Sequence, residues 1–161
     1  METHQLDHFL KDHPFFDGLQ PEDLAFIASC GKNVVFHPND VVCQTGKPAD
    51  QFYILRDGHV AIEMVLPGQG PLTLQTLGEG DVFGWSWLIP PHIWKFDAHA
   101  ILQTRAVALD GRCLREKCEE EPRLGFELMK RFSQVMTQRL AAARLQLLDL
   151  YGNEPREKPD E

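Results

Sequence analysis

The sequence predicts a mainly β domain with flanking helices (α+β). It is an antiparallel sandwich or jelly roll set between short N-terminal helices and one long C-terminal helix. Three observations carry this. From Asn33 to Asp110, short runs rich in β-branched and aromatic residues alternate with turn-forming clusters and show no helical period. Ahead of Asn33 lie two short amphipathic stretches with helix punctuation. Beyond Asp110, apolar residues recur at three- and four-residue steps.

In chain order, Leu6, Phe9 and Leu10 give a short helix that stops before Pro14, because a proline disfavours helix in the residue ahead of it. Gln20-Pro21-Glu22-Asp23 opens a second, with proline at its first position and acids at the positive end of its dipole. Leu24, Phe26 and Ile27 supply its apolar side and Gly31 ends it. The strand runs are NVVF, DVVC, QFYIL, HVAIEMVL, LTLQTL, DVFGW, AHAIL and RAVAL, with PGQGP as a hairpin tip. Asp110 caps a short helix, GRCLREKCEEE, and Pro122 opens the long one, which Gly152 closes. The divisions are thus 1–32 for the N-terminal helices, 33–110 for the roll, 111–152 for the C-terminal helices and 153–161 for a charged, disordered tail.

The long helix carries the stripe Met129, Ser133, Met136, Leu140, Ala143, Leu147, Leu150, a heptad seam. Leu128, Phe132, Val135 and Leu145 form a second apolar face. A helix apolar on two sides wants two partners, here the roll and a second copy of the chain, so a homodimer is expected.

Bulk properties narrow the function. The 161 residues suit one domain, and a net charge of −8 opposes broad binding to nucleic acid. Nothing is apolar for long enough to span a membrane, and METHQLDHFLKDHP is too polar for a secretory leader, so a cytoplasmic protein is expected. Cys30, Cys43 and Cys113 sit among apolar neighbours and read as reduced, buried small hydrophobes; with Cys118 they make no Cys-x-x-Cys pair. His4 and His8 share a helix face but read as solvated, and His37, His59, His92 and His99 are spread singly. No metal, haem or other cofactor is expected. A phosphate loop, a His-Glu-x-x-His pair and a nucleophile elbow are all missing, which argues against an enzyme.

All three tryptophans fall between Gly80 and Ala100, in GDVFGWSWLIPPHIWKFDAHA. The candidate effector pocket comprises Phe83, Gly84, Trp85, Ser86, Trp87 and Leu88, then Trp94, Lys95, Phe96, Asp97 and Ala98. Two readings stand open: a pocket in which the indoles stack on a flat or apolar effector, or indoles that plug the roll as core.

The run Val42 to Gly58, VCQTGKPADQFYILRDG, resembles the first signature of cyclic nucleotide-binding domains, departing only at Lys47. HPFFDGL, LGEGDVFG and the long helix resemble the same family, in its bacterial catabolite activator type, and the likeness covers residues 9 to 151. It implies a jelly roll that senses a small molecule and transmits its state through the C-terminal helix. In nucleotide-binding members a Gly-Glu pair is followed two residues later by a small residue, and about ten residues on by Arg, Ser or Thr, and Ala. The Glu accepts the ribose hydroxyl; the Arg holds the cyclic phosphate.

Here Gly84 matches, but Trp85 stands at the Glu place, Trp87 at the small-residue place, and Phe96-Asp97 precede Ala98. Losing those charge-assisted bonds and adding Asp97 costs about 4–6 kcal/mol, or roughly three to four decades of affinity. Lys95, His92, His99 and Arg105 are candidate substitutes for the Arg. At the helix positions that meet the base, the resemblance places Ala143-Arg144 where the catabolite activator has Thr-Ser. After Gly152 comes only NEPREKPDE, so no recognition helix and no direct transcriptional control are expected. The expected role is a stand-alone sensory or regulatory module for signal transduction. Its partners would be a homodimeric copy, a small-molecule effector other than a cyclic nucleotide, and a protein such as a kinase, cyclase or transporter. The alternatives are a genuine cyclic nucleotide binder in which Lys95 substitutes for the Arg, and a ligand-free interaction scaffold.

Overall fold

The computed structural model describes residues 2–152, the side chains of 2–4 and 151 excepted; the expected disordered tail and the side chain of His4 lie outside that range. The elements are α1 (Glu2–Asp12), a 3-10 turn (Pro14–Phe16), α2 (Pro21–Ser29), β1 (Gly31–Phe36), β2 (Val41–Cys43), β3 (Gln51–Asp57), β4 (Val60–Leu66), β5 (Gly70–Leu77), β6 (Val82–Phe83), a 3-10 turn (Trp85–Trp87), β7 (Asp97–Ala100), β8 (Thr104–Asp110), α3 (Gly111–Glu120) and α4 (Pro122–Gly152). The strands form two four-stranded sheets, in the orders β1-β8-β3-β6 and β2-β7-β4-β5. Every pairing is antiparallel, the arrangement expected of a jelly roll.

The first sheet is covered on both faces, and the two-residue period of its strands sorts side chains into two cores. Phe52, Ile54, Val82, Val107 and Leu109 face the helices. Tyr53, Leu55, Phe83, Ala106 and Ala108 face the interior of the roll. This is why QFYIL reads as an unbroken apolar run: both of its faces are buried.

Helix α4 joins the first core through Leu124, Leu128 and Phe132, which step by four. The Phe132 ring lies 4.8 Å from Phe52, 5.1 Å from Phe15 and 5.7 Å from Trp87. Asp23 of α2, almost fully buried, accepts two hydrogen bonds from Arg123 Nη2 at 3.0 and 2.8 Å, tying α2 to α4. Further along, α4 still touches the roll: Gln146 donates from Nε2 to Leu74 O of β5 at 3.3 Å. Leu145, expected on the roll-facing side with Leu128 and Phe132, is instead 63% exposed, because the helical repeat turns it away from the face that Phe132 and Gln146 share.

Two further details depart from expectation. Gly31 does not end α2, whose cap is Cys30, but opens β1, where a Cβ would come within 2.8 Å of the Leu109 side chain. Cys30 and Cys113 are not reduced: they form a disulfide across 83 residues of sequence. The physical cause is the junction of β8 with α3. The Asp110 N–H donates to Cys30 O at 2.9 Å, and the Asp110 carboxylate caps α3 by accepting from the Cys113 N–H at 2.8 Å. The first turn of α3 is thereby set against the end of α2, with the two Cα atoms 6.0 Å apart, inside the range a disulfide spans. Cys43 and Cys118 stay free; burial, then the Asp97 charge, pushes the Cys43 thiol up to about 12.

Candidate functional site

β6 ends at Gly84, whose φ of +102° lies in the left-handed region. A side chain there would also collide: a Cβ would stand 2.9 Å from Gln51 O and 2.9 Å from Cη2 of Trp94. The glycine lets the chain pass over the Trp94 ring and turn into the 3-10 segment Trp85–Trp87. From there the three indoles go to three different places.

Trp87 is fully buried among the helix-facing core residues, edge-on to Phe132. Its carbonyl accepts from Arg115 Nη1 at 2.6 Å, while its Nε1–H finds no partner among the described residues. Gly111, at the start of α3, leaves room for it, since a Cβ there would lie 2.7 Å from Cβ of Trp87.

Trp94 is 4% exposed and fills the roll from the inside. It stacks at 22° on Tyr53, which stacks in turn on Phe83 at 5.0 Å; Phe96 closes the group at 5.7 Å. Its backbone is clamped to the loop after β2, with Trp94 N–H to Lys47 O and Gly46 N–H to Trp94 O, both 2.9 Å. Ala98 belongs to the same interior, and Leu88 and Trp85 pack against the helix-facing core.

Trp85 is half-buried, with Phe96 edge-on at 6.4 Å and the guanidinium of Arg139 over its face at 5.2 Å. Arg139, on α4, also donates from Nη2 to Val82 O. Burial lowers the Arg139 pKa to about 10, partly opposed by the charge of Asp81. This residue was missed in the sequence, although a signal existed: Phe132, Val135 and Arg139 step by three and four along the roll-facing side.

Residues 33–121 match the family described as the cyclic nucleotide-binding domain. The chain belongs to that family. It is 28% identical over 145 residues to the CRP-like cAMP-activated global transcriptional regulator of Mycobacterium tuberculosis, covering 90% of this chain and 63% of the relative. The chain therefore spans just under two thirds of that relative's length. Among solved structures, a Geobacter metallireducens protein described as a cyclic nucleotide-binding protein superposes with a TM-score of 0.75 at 27% identity, covering 87% of this chain and 98% of that one. The regulatory subunit of a cAMP-independent protein kinase A from Trypanosoma brucei shares the fold, with a TM-score of 0.69 at 21% identity over 83% of this chain and 47% of that one. A mutant of that subunit with cAMP bound in its A site superposes at 0.74 with 20% identity, covering 91% and 52%.

In this cyclic nucleotide-binding domain three of the four residues singled out as Arg substitutes are engaged elsewhere or face solvent, and His92 is half-buried. Lys95 is exposed. His99 Nδ1 meets Glu63 Oε1 at 2.9 Å, and Arg105 donates from Nε to Asp57 at 2.6 Å. The Asp97 carboxylate accepts from Thr45 N–H at 2.7 Å, so the acid serves the loop after β2. A cleft of about 500 Å³ opens beside the roll, between α4, the Pro14–Phe16 turn and the corner joining β5 to β6. None of the eleven residues proposed from sequence lines it, whereas Val82 and Arg139 do. No helix among the described residues is long and apolar enough to cross a membrane.

Proposed function

We propose that this chain is a regulatory module that has lost cyclic-nucleotide binding in the family's usual pose, and that it acts as a homodimer paired through α4 to bias a protein partner. One observation carries the reading. The volume inside the roll is occupied by the chain's own Trp94, 4% exposed and stacked with Tyr53 and Phe83. A purine riboside phosphate entering there would have to expel an indole and its stacking partners, which costs several kcal/mol of buried aromatic contact. The residues that would reward entry are absent: Trp85 and Phe96 stand at the Glu and Arg places, and Lys95 points to no interior contact. The trypanosomal subunit supports the reading by analogy. It shares this fold and is described as cAMP-independent, and the cAMP-bound form is a mutant whose three changes include a threonine to arginine.

Pairing through α4 is supported by what the monomer leaves uncovered. Met129, Leu140, Leu147 and Leu150 of the seam are all exposed, an apolar stripe that water would otherwise meet. A partner whose affinity differs between two helix arrangements would shift their populations, with no chemistry needed at the site. A non-enzymatic role fits the same picture.

The deciding experiment is calorimetric titration with cyclic AMP and cyclic GMP. The expected result is no saturable heat at millimolar ligand. Saturable micromolar binding to the unaltered protein would overturn the reading.

A further inference from the structure

A buried cation is normally paired with an acid or spent on hydrogen bonds, because leaving it otherwise in a low-dielectric site is costly. Arg139, half-buried, is only weakly matched here. Its guanidinium carries five donors, yet among the described residues it donates one hydrogen bond, to Val82 O, and forms no salt bridge. It stands over Trp85 and borders the cleft of about 500 Å³.

The other charges of that cleft, the Asp17 carboxylate apart, are engaged among the described residues. Glu127 takes Lys130 Nζ at 3.0 Å and Arg131 Nη1 at 2.8 Å, and Arg131 also donates to Asp17 O. The Asp81 carboxylate accepts from Gly78 N–H at 2.9 Å, bracing its own turn. His13 contacts Gly80 O through Nε2 and accepts from Phe15 N–H at Nδ1, so both ring nitrogens are engaged. What remains is a guanidinium offset only by the nearby Asp81 charge, the Asp17 carboxylate, the amides of Gln75, Gln134 and Gln138, and an apolar wall of Phe15, Val82 and Val135. A cleft of this size, largely polar and with a guanidinium and amides beside an apolar wall, suits a small polar organic ligand.

We propose that the cleft between α4 and the β5–β6 corner binds a small organic anion, carboxylate or phosphate, whose charge is taken by Arg139. The inference deepens the reading above: the anion-binding arginine is supplied by α4, outside the roll, while the roll itself is filled. It also gives that module a means of control. Arg139 ties α4 to β6 through Val82 O, so an anion competing for the guanidinium loosens the helix that carries the exposed seam.

The test is tryptophan fluorescence at constant ionic strength, read through Trp85 beneath the guanidinium. Phenyl phosphate, benzoate and neutral benzyl alcohol are titrated into the unaltered protein and into Arg139→Gln and Arg139→Lys, each first checked for native circular dichroism. Saturable change with one or both anions and none with the alcohol is expected; which anion saturates at lower concentration tells phosphate from carboxylate ligands. Loss of the charge-assisted bonds should weaken binding at least about tenfold in Arg139→Gln, with Arg139→Lys between. Equal response to alcohol and anions, or unchanged affinity in a folded Arg139→Gln, overturns the proposal. Because Arg139→Gln can fail to fold, the comparison of anion with alcohol in the unaltered protein stands as an independent refutation. Cyclic AMP runs as a separate titration. If it binds the unaltered protein and Arg139→Gln alike, the filled-roll reading fails while the cleft is judged on phenyl phosphate and benzoate. If neither anion saturates, the cleft proposal fails and the filled roll stands.

Discussion

Removing the Cys30–Cys113 disulfide, at the edge of the helix-facing core, should cost a large share of the protein's stability. The bond joins the end of α2 to the first turn of α3, across 83 residues of sequence that contain the whole roll and its cassette. Cross-linking a loop of that length removes chain entropy from the unfolded state worth about 4.5 kcal/mol at 25 °C. Unfolding entropy near 60 °C is about 2.1 cal/mol/K per residue, roughly 0.34 kcal/mol/K for a chain of this size, so the melting temperature should fall by about 13 °C. The assay is a thermal melt with and without a phosphine reductant, on the unaltered protein and on the double variant Cys30→Ala, Cys113→Ala. Reductant should lower the first melt to near the second and leave the second unmoved. In denaturant without reductant, two of the four cysteines should react with a thiol reagent, and with reductant all four. Four reactive thiols without reductant, or a melt indifferent to reductant, would refute the bond and the entropy assigned to it.

Trp87→Ala should cost about 3–5 kcal/mol in urea denaturation, as expected for a fully buried indole. Trp87→Phe should cost under about 1.5 kcal/mol, because the Nε1–H it deletes has no partner to lose and its burial carries a desolvation penalty; equal losses for the two variants would contradict this. Arg131 and then Lys130 hold the Glu127 carboxyl below its ordinary 4.5. A depressed folded pKa gives stability that is present above the unfolded value and lost as pH falls through the folded one. Melting temperature should therefore drop as pH goes from about 5 to 3, and Glu127→Gln should flatten that slope; an unchanged slope would count against the pairing. Leu140→Asp with Leu147→Asp should convert a dimer to a folded monomer in sedimentation equilibrium, and a dimer surviving both changes would place the interface elsewhere.

Much of the fold was legible because it rests on local chemistry. Pro21, Asp110 and Pro122 mark helix starts, and the structure begins helices at or just after each. The four-residue run Phe52-Tyr53-Ile54-Leu55 predicts a strand buried on both faces, and its side chains divide between the two cores. The disulfide was not legible, because neither cysteine carries a local cue. Cys30 meets Cys113 only after β1 and β8 have paired along Gly31↔Leu109 to Phe36↔Thr104 and carried the two helix ends together. Leu145 failed for the opposite reason. Its spacing from Leu128 and Phe132 puts it about 100° and 140° around the helix from them, and the residue that returns to their face is Gln146, which donates to Leu74 O of β5.

The aromatic cassette shows the same limit at the site itself. Clustering of Trp85, Trp87 and Trp94 in sequence left open an aromatic-lined pocket or indoles plugging the roll, and the fold sends the three to separate places. A 3-10 turn advances each residue by about a third of a turn, so Trp85 and Trp87 leave it in different directions, one toward α4 and Arg139, the other into the helical core. Trp94, beyond the Pro-Pro loop, returns to the inside of the roll beneath Gly84. The left-handed glycine is therefore doubly determined, by its own φ and by the ring it must clear. The segment thus keeps a left-handed turn at Gly84 and packs aromatic rings on either side of it. The guanidinium over Trp85 comes from α4, the element that also bears the exposed apolar stripe. On the reading proposed above, the anion site and the pairing face share one helix, so an anion that draws Arg139 from Val82 would act on the pairing directly, without passing through the roll.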